Sequence, residues 1–236
     1  MKNSTKFIQF AVEQGVLQFG EFTLKSGRIS PYFFNAGLFN DGQALDRLSQ
    51  FYAQAIVDAN LDFDMLFGPA YKGIPLVAVV AMTLSRDHGR NYPYAFNRKE
   101  VKIHGDGGHI VGAPLSGKIL ILDDVITAGT AINEAAEIIN QAGPMAQVKG
   151  VVIAFDRQER SSDQSLSAVQ QVERDLNISV TTVAGARELI EYAESNNMYG
   201  EHLEALKNYL EKYQSITLQQ TRLMFLLGCG PYMTSE

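Results

Sequence analysis

Short apolar segments alternate with longer segments of helical periodicity along most of the chain, and this alternation constrains the fold most strongly. The apolar segments predict strands at 65–67, 94–97, 118–123, 150–155 and 178–183. Apolar residues at helical spacing predict helices at 41–59, 74–86, 130–142, 166–176, 186–194 and 201–213. Strands that alternate with helices of about this length are typical of parallel β-α-β units. We therefore predict an α/β fold with an open, mainly parallel sheet flanked by helices.

Two segments depart from this alternation. Residues 19–41 place short aromatic β-type runs between turns, after an N-terminal amphipathic helix, which predicts a small hairpin or hood. The stretch from Arg98 to Gly117 is rich in glycine and lacks an apolar period, which is more typical of a functional lid than of a passive connection. We expect residues 1–213 to form one domain with the hood at about 1–40 and the lid at about 98–117. Residues 214–236 are then a C-terminal extension without an assigned role.

Composition narrows the function classes. The chain has 20 Lys+Arg and 26 Asp+Glu, a formal net charge of -6, which disfavours non-specific nucleic-acid binding as its main task. Its single cysteine excludes an intrachain disulfide and a CxxC metal cluster. The apolar runs are too short for a signal peptide or a bilayer span. We expect a cytoplasmic protein without membrane or nucleic-acid partners.

The segment after the strand at 118–123 carries the chemistry. Asp123 and Asp124 stand at the end of a buried apolar run, and Thr127–Thr130 is a turn of small and hydroxyl residues that opens a helix. Backbone N–H groups and hydroxyls at a helix N-terminus bind phosphate. Paired acids beside such a site suit ribose hydroxyls, so the segment indicates a phosphorylated ribose. In the competing interpretation, the acids only cap the helix and Gly129 relieves a tight turn.

This segment resembles the diphosphoribosyl-binding signature of the type I phosphoribosyltransferases. Other motifs narrow the resemblance to orotate phosphoribosyltransferases: FTLKSGR at 22–28, SPYFFN at 30–35, GPAYKG at 68–73, NRKE at 97–100 followed by Lys102 and His104, and DRQE at 156–159. The resemblance covers roughly residues 5–213. It implies the type I fold and transfer of the phosphoribosyl group from 5-phosphoribosyl 1-diphosphate (PRPP) to orotate. The products would be orotidine 5'-monophosphate and diphosphate, in de novo pyrimidine (UMP) biosynthesis.

The resemblance also implies which residues bind PRPP. They are Lys25, Tyr71, Lys72, Arg98, Lys99, Lys102, His104, Asp123, Asp124, Val125, Ile126, Thr127, Ala128, Gly129, Thr130 and Ala131. Among them, the catalytic residues would be Lys102, His104, Asp123 and Asp124. The residue chemistry fits, because a cationic lid offsets the charge that develops on a leaving diphosphate. Taken singly, Lys72 and the lid residues also fit the alternative of ordinary surface charges.

The resemblance implies that orotate is bound by Phe33, Phe34, Thr127 and Arg157. Aromatic rings suit a planar base, and an arginine makes a two-pronged contact with a carboxylate. Core packing is the competing interpretation for the two phenylalanines. Mg²⁺ is expected as cofactor through the substrate, so no protein metal site is predicted. The family's active site is shared across a homodimer, which implies that Arg98, Lys102 and His104 reach the neighbouring subunit's site.

Two other functions stay open. A phosphoribosyltransferase for purine bases would keep the loop at 123–130 but would not need Arg157 or the Phe33–Phe34 hood. A non-catalytic regulator would use the same fold to sense PRPP, although the cationic lid residues disfavour that reading.

Overall fold

The fold is described from a computed structural model for residues 1–24, 26–102, 108–160, 165–196 and 200–215, with side chains omitted at 101, 102, 108 and 201. The helices are α1 (Asn3–Glu13), α2 (Gly42–Asp58), α3 (Gly73–His88), α4 (Thr130–Gln141), α5 (Ala168–Leu176), α6 (Ala186–Asn196) and α7 (Gly200–Tyr213). The strands are β1 (Leu17–Thr23), β2 (Ile29–Phe34), β3 (Met65–Gly68), β4 (Tyr94–Lys102), β5 (Gly108–Gly112), β6 (Gly117–Asp123), β7 (Ala146–Asp156) and β8 (Ser179–Gly185).

The main sheet has the strand order β5-β4-β3-β6-β7-β8. Every neighbouring pair is parallel except β4 and β5, which are antiparallel. This confirms the predicted α/β class and the mainly parallel sheet. The carboxyl ends of β3, β6 and β7 therefore meet at one edge of the sheet, where open α/β folds bind ligands.

Helices cover both faces of the sheet, and the alternation of side chains along β6 shows why. Leu120 and Leu122 lie in the core shared with α1, α2, α3, α6 and α7. Ile119 and Ile121 lie in a second core with residues of α4 and α5. Successive strand side chains point to opposite faces, so a run of apolar residues is needed where both faces are covered. The layering leaves Asp123, at the end of this run, at the carboxyl edge of the sheet.

The N-terminal hood is a separate two-stranded antiparallel sheet of β1 and β2. The predicted hairpin is thereby confirmed, with its first strand beginning at Leu17 instead of near residue 19. Aromatic packing fastens the hood to the domain, because the ring of Phe34 stacks on Phe155 of β7 at a centroid distance of 5.2 Å. Tyr32, also on β2, is fully buried. The hood thus lies beside the end of β7.

The stretch predicted as a lid loop from Arg98 to Gly117 contains strand residues in the structure. The strand predicted at 94–97 continues as β4 to Lys102, and β5 returns beside it with Lys102 opposite Gly108. Residues 98–102 and 108–112 of the predicted lid thus belong to two paired strands at the edge of the sheet, and residues 103–107 lie outside the described residues. Gly112 concealed β5 in the sequence but is required there, because it has a φ of 109° and a Cβ would meet the Tyr94 carbonyl oxygen at 2.4 Å.

The C-terminal end of the described chain packs onto the domain. The N–H of Ser215 donates to the carbonyl of Gln158 at 2.9 Å, and Gln214 pairs with Glu159 as an isolated antiparallel bridge. Residues 216–236, most of the predicted extension, lie outside the described residues. Within the described ranges, none of the helices is both long and apolar enough to cross a bilayer.

Candidate active site

Asp123 and Asp124 form the acidic centre of the site at the end of β6. Asp123 is 7% exposed, and its Oδ1 accepts the N–H of Asp124 at 2.9 Å. The hydroxyl of Tyr52, a fully buried residue of α2, donates to the Asp123 carbonyl at 2.7 Å. Burial, followed by the charge of nearby Asp124, raises the pKa of Asp123 to about 7. Tyr52 thus fixes the backbone of an acid whose environment resists its ionisation.

Lys72 stands directly beside this acidic pair. Its Nζ lies 2.5 Å from Oδ2 of Asp124, whose side chain is largely buried while that of Lys72 is exposed. The lysine charge acts against the rise in the Asp123 pKa. The structure therefore brings together the predicted diphosphate cation and a predicted ribose ligand, although they are 52 residues apart in the chain. An anionic ligand here would compete with Asp124 for the ammonium group.

The turn before α3 presents backbone toward the same place. Gly68 and Gly73 approach so closely that a Cβ on Gly68 would lie 2.1 Å from the Gly73 carbonyl oxygen. The N–H of Ala70 donates to Oδ1 of buried Asn97 at 2.9 Å. The Ala70–Tyr71 peptide bond is cis, and the Tyr71 side chain is exposed. Asn97 lies on β4 immediately before the lid cations, so it connects the lid strand to the turn that carries Lys72.

Asn97 and Tyr52 were missed as site residues by the sequence reasoning. Asn97 belongs to the NRKE motif, and Tyr52 lies within the helix predicted at 41–59, but neither is predicted to be a site residue. The one signal in the sequence at Asn97 is a polar residue at the end of a predicted strand, directly before charged residues.

The loop between β6 and α4 divides its side chains between solvent and core. Thr127, Ala128 and Thr130 are exposed, while Ile126 packs into the α4–α5 core. Gly129 has a φ of 73° at the start of α4, and a Cβ there would meet Val172 Cγ2 at 2.8 Å. The apolar members therefore anchor the loop. Its hydroxyls and the N-terminal N–H groups of α4 are left to bind an anion.

The predicted lid cations are only partly within the described structure. Lys99 on β4 is exposed and lies 3.4 Å from Glu134 of α4, which places it next to the loop at 123–131. Arg98, its half-buried neighbour on β4, precedes it. The Lys102 backbone ends β4, but its side chain, His104 and Lys25 lie outside the described residues.

The predicted orotate residues lie on the hood and at the end of β7. Phe33 is partly exposed and stacks on Phe22 at 5.5 Å, whereas Phe34 packs against Phe155 in the core. The core-packing interpretation thus describes Phe34 better than Phe33. Arg157 follows β7 with its guanidinium 4.3 Å from the centre of the Tyr32 ring, and its Nη2 donates to Ser30 Oγ at 3.0 Å. The hood and the end of β7 together hold this cation.

Comparisons with known proteins identify the family to which the chain is similar. The phosphoribosyl transferase domain family matches residues 37–184. The orotate phosphoribosyltransferases of Pseudomonas paraeruginosa and Thioalkalivibrio sulfidiphilus are each 56% identical, over 88% and 89% of this chain and 96% and 97% of theirs. A crystal structure of the Francisella tularensis orotate phosphoribosyltransferase aligns with a TM-score of 0.81 at 45% identity, over 89% of this chain and 100% of that one. A Leishmania donovani UMP synthase shares the fold at 23% identity, with a TM-score of 0.68 over 89% of this chain and 42% of that one.

Proposed function

The chain belongs to the orotate phosphoribosyltransferase family, and we propose that it transfers the phosphoribosyl group of PRPP to orotate. The products are orotidine 5'-monophosphate and diphosphate, which places the reaction in pyrimidine (UMP) biosynthesis. The observation that carries the proposal is the meeting of Lys72 and Asp124 at one edge of the sheet, 2.5 Å apart. Arg157, at the end of the adjacent strand β7, supplies the cation for the base.

The PRPP half of the site follows from the strand ends. Asp123 and Asp124 accept hydrogen bonds from the ribose hydroxyls, and residues 125–131 cradle the 5-phosphate at the start of α4. Lys72 and the Tyr71 backbone receive the diphosphate. Binding PRPP transfers Lys72 from Asp124 to the diphosphate, which frees the carboxylate for the ribose.

The base half of the site suits orotate. Arg157 pairs with the orotate carboxylate, the exposed ring of Phe33 and the backbone of Phe34 border the base, and Thr127 contacts it from the loop. A planar guanidinium favours a carboxylate because it donates two parallel hydrogen bonds. The ring nitrogen of orotate then attacks the anomeric carbon of the ribose as the bond to diphosphate breaks.

The chemistry of the step is mainly charge placement. The carboxylate makes orotate anionic, and the proton of its ring N–H passes to the departing diphosphate or to water as the nitrogen attacks, so the protein need not supply a strong base. The transition state is oxocarbenium-like, and Lys102 and His104 of the lid stabilise the charge on the departing diphosphate. Arg98 and Lys99 extend this cationic set along β4.

Mg²⁺ fits the donor set as a cofactor that arrives on PRPP. Asp123 and Asp124 are oxygen donors of the kind Mg²⁺ prefers, and Mg²⁺ is usually held by one or two carboxylates plus substrate phosphates. Asp123 or Asp124 would help to hold the ion on PRPP, and its charge would offset part of the diphosphate charge.

We further propose a homodimer with shared active sites, in the cytoplasm. Arg98 and the backbone of Lys102 lie on β4, next to the edge strand β5, and we propose that Arg98, Lys102 and His104 close over a second subunit's diphosphate. The proposed domain plan keeps residues 1–213 as the catalytic unit and residues 214–236 as an extension. The single cysteine fits a reducing compartment.

The proposal is tested by the choice of base. The purified protein is supplied with PRPP and Mg²⁺, and loss of orotate absorbance is compared with consumption of hypoxanthine under the same conditions. We expect orotate to be consumed with one diphosphate released per base, and the rate to fall when Mg²⁺ is chelated. Consumption of hypoxanthine without orotate would assign a purine enzyme, and PRPP binding without transfer to either base would favour a sensor.

A further inference from the structure

Glu159 is a buried carboxylate that the reaction proposed above does not use. Its side chain is 8% exposed, two residues beyond Arg157 on the segment that follows β7. Glu159 forms an ion pair with Arg157, whose side chain is 20% exposed. Oε1 of Glu159 lies 2.8 Å from Nη2 of Arg157. A negative charge beside the proposed orotate cation weakens the net attraction for a carboxylate ligand. Its presence therefore needs a reason other than attraction of the substrate.

Two phenols complete the surroundings of Glu159. The hydroxyl of Tyr32, from the hood, donates to Oε1 at 2.8 Å. The hydroxyl of Tyr209, from α7, donates to Oε2 at 2.9 Å. Burial raises the pKa of both phenols, which keeps them neutral donors at ordinary pH. Both carboxylate oxygens are thus engaged, and the group joins Arg157 to the hood and to α7.

The Arg157 guanidinium is correspondingly restricted. It lies over the Tyr32 ring at 4.3 Å, and Nη2 is held by Ser30 Oγ at 3.0 Å as well as by Glu159. An arginine side chain loses much rotational freedom when it binds a ligand, and a partner that has already fixed its plane removes part of that cost. The hydrogen-bonded Glu159 does this from the side of the guanidinium that carries Nη2.

The backbone around Glu159 is fastened to the same helix. The N–H of Arg160 donates to the Tyr213 carbonyl at 2.8 Å, and its Nη2 donates to the Lys212 carbonyl at 2.8 Å. Arg28 of the hood donates through Nη1 to the Arg160 carbonyl at 2.8 Å. The segment that follows β7 is therefore held between the hood and the end of α7.

We infer that Glu159 is a positioning residue that orients Arg157 for the carboxylate of the base, and that α7 takes part in base binding through Tyr209. The inference rests on the proposed function. We expect α7 to affect the binding of orotate only, because the Glu159 cluster contacts Arg157 and not the Asp123–Asp124 centre. Loss of the cluster raises KM for orotate and leaves KM for PRPP unchanged.

Steady-state kinetics of three variants test the inference. Glu159→Gln removes the charge at nearly constant volume, and Tyr209→Phe removes only the hydroxyl donor on α7. Tyr213→Phe is the matched control, because its ring packs on Tyr209 at 4.8 Å and beneath Arg28 without joining the Glu159 cluster. We expect KM for orotate to rise roughly threefold to tenfold in Tyr209→Phe and about tenfold in Glu159→Gln, the scale of weakening one charge-assisted hydrogen bond. In both variants, KM for PRPP should equal that of the wild type. In Tyr213→Phe, both KM values should equal those of the wild type.

A double-variant cycle separates positioning from general destabilisation. If Glu159 and Tyr209 act through the guanidinium, Tyr209→Phe should change KM for orotate by less than twofold in an Arg157→Lys background, a non-additive result. Equal effects in both backgrounds, or a rise in both KM values, would overturn the inference, and Tyr209→Phe decides the matter if Glu159→Gln fails to fold. Failure of the proposed function is distinguishable, because the wild type itself would then not consume orotate.

Discussion

Replacing Asp123 by asparagine should stabilise the protein while it abolishes transfer. The carboxyl group of Asp123 is buried at the end of β6 and lies next to the charge of Asp124, so its ionised form is disfavoured in the folded protein. In the wild type, Oδ1 of Asp123 accepts the N–H of Asp124 at 2.9 Å. Asparagine keeps an oxygen that can accept this hydrogen bond but carries no charge. The substitution thus removes an electrostatic cost without removing the local hydrogen bond.

The size of the effect follows from the two pKa values. The folded pKa of Asp123 is raised from 3.8 to about 7. Between these values the folded protein binds more protons than the unfolded chain, so this group lowers the free energy of unfolding as pH rises from about 4 to about 7. Between about pH 5 and about pH 8, the resulting loss in the free energy of unfolding is about 2–3 kcal/mol. Asp123→Asn should escape this loss.

Urea unfolding without substrates measures the effect at both pH values. The stability gained by Asp123→Asn over the wild type should be about 2–3 kcal/mol larger at about pH 8 than at about pH 5. Asp62→Asn is the control, because Lys118 lowers the pKa of exposed Asp62. Removing the Asp62 charge should therefore give no gain in the free energy of unfolding that grows with pH. An equal gain at both pH values, or a loss of stability at about pH 8, would refute the electrostatic reasoning.

Three further predictions concern the PRPP half and the lid. Asn97→Ala leaves the buried N–H of Ala70 without its acceptor, so the free energy of unfolding should fall by about 1–3 kcal/mol. KM should rise for PRPP but not for orotate, and a change in both KM values would contradict this. Lys102→Ala should lower kcat at least about tenfold, whereas Lys118→Ala, on the far end of β6, should not; a near-normal kcat would remove the lid from the mechanism. Mixing Lys102→Ala with Asp124→Asn subunits should restore part of the activity in confirmed heterodimers, and no recovery would argue against shared sites.

Local sequence patterns were sufficient to predict most of the sheet. The run Ile119–Leu122 is apolar on both faces, which requires a central strand between two helical layers, and the following acids mark its carboxyl end. The helix after Gly129 was also predictable, because a turn of small residues precedes a segment with apolar residues at helical spacing. Where a pattern was masked by glycine, as in β5, the strand was missed.

The contacts that tune the site were not predictable, because they join distant parts of the chain. Asn97 meets Ala70 across 27 residues, and Tyr52 meets Asp123 across 71. Tyr209 and Glu159 meet across 50. Each contact depends on strand order and on how a helix seats against the sheet, which no local pattern encodes. Local motifs therefore identified the groups that bind the substrates but not the residues that hold those groups in place.

In the proposed active site, PRPP binds at the end of β6 and orotate binds at the end of β7. The most direct measurement is KM for each substrate in two variants, Asp124→Asn and Arg157→Lys. We predict a crossed result, in which Asp124→Asn raises KM for PRPP and leaves that for orotate, while Arg157→Lys does the reverse. If each variant changed both constants equally, or if Arg157→Lys left the orotate constant unaltered, this division of the site would be wrong.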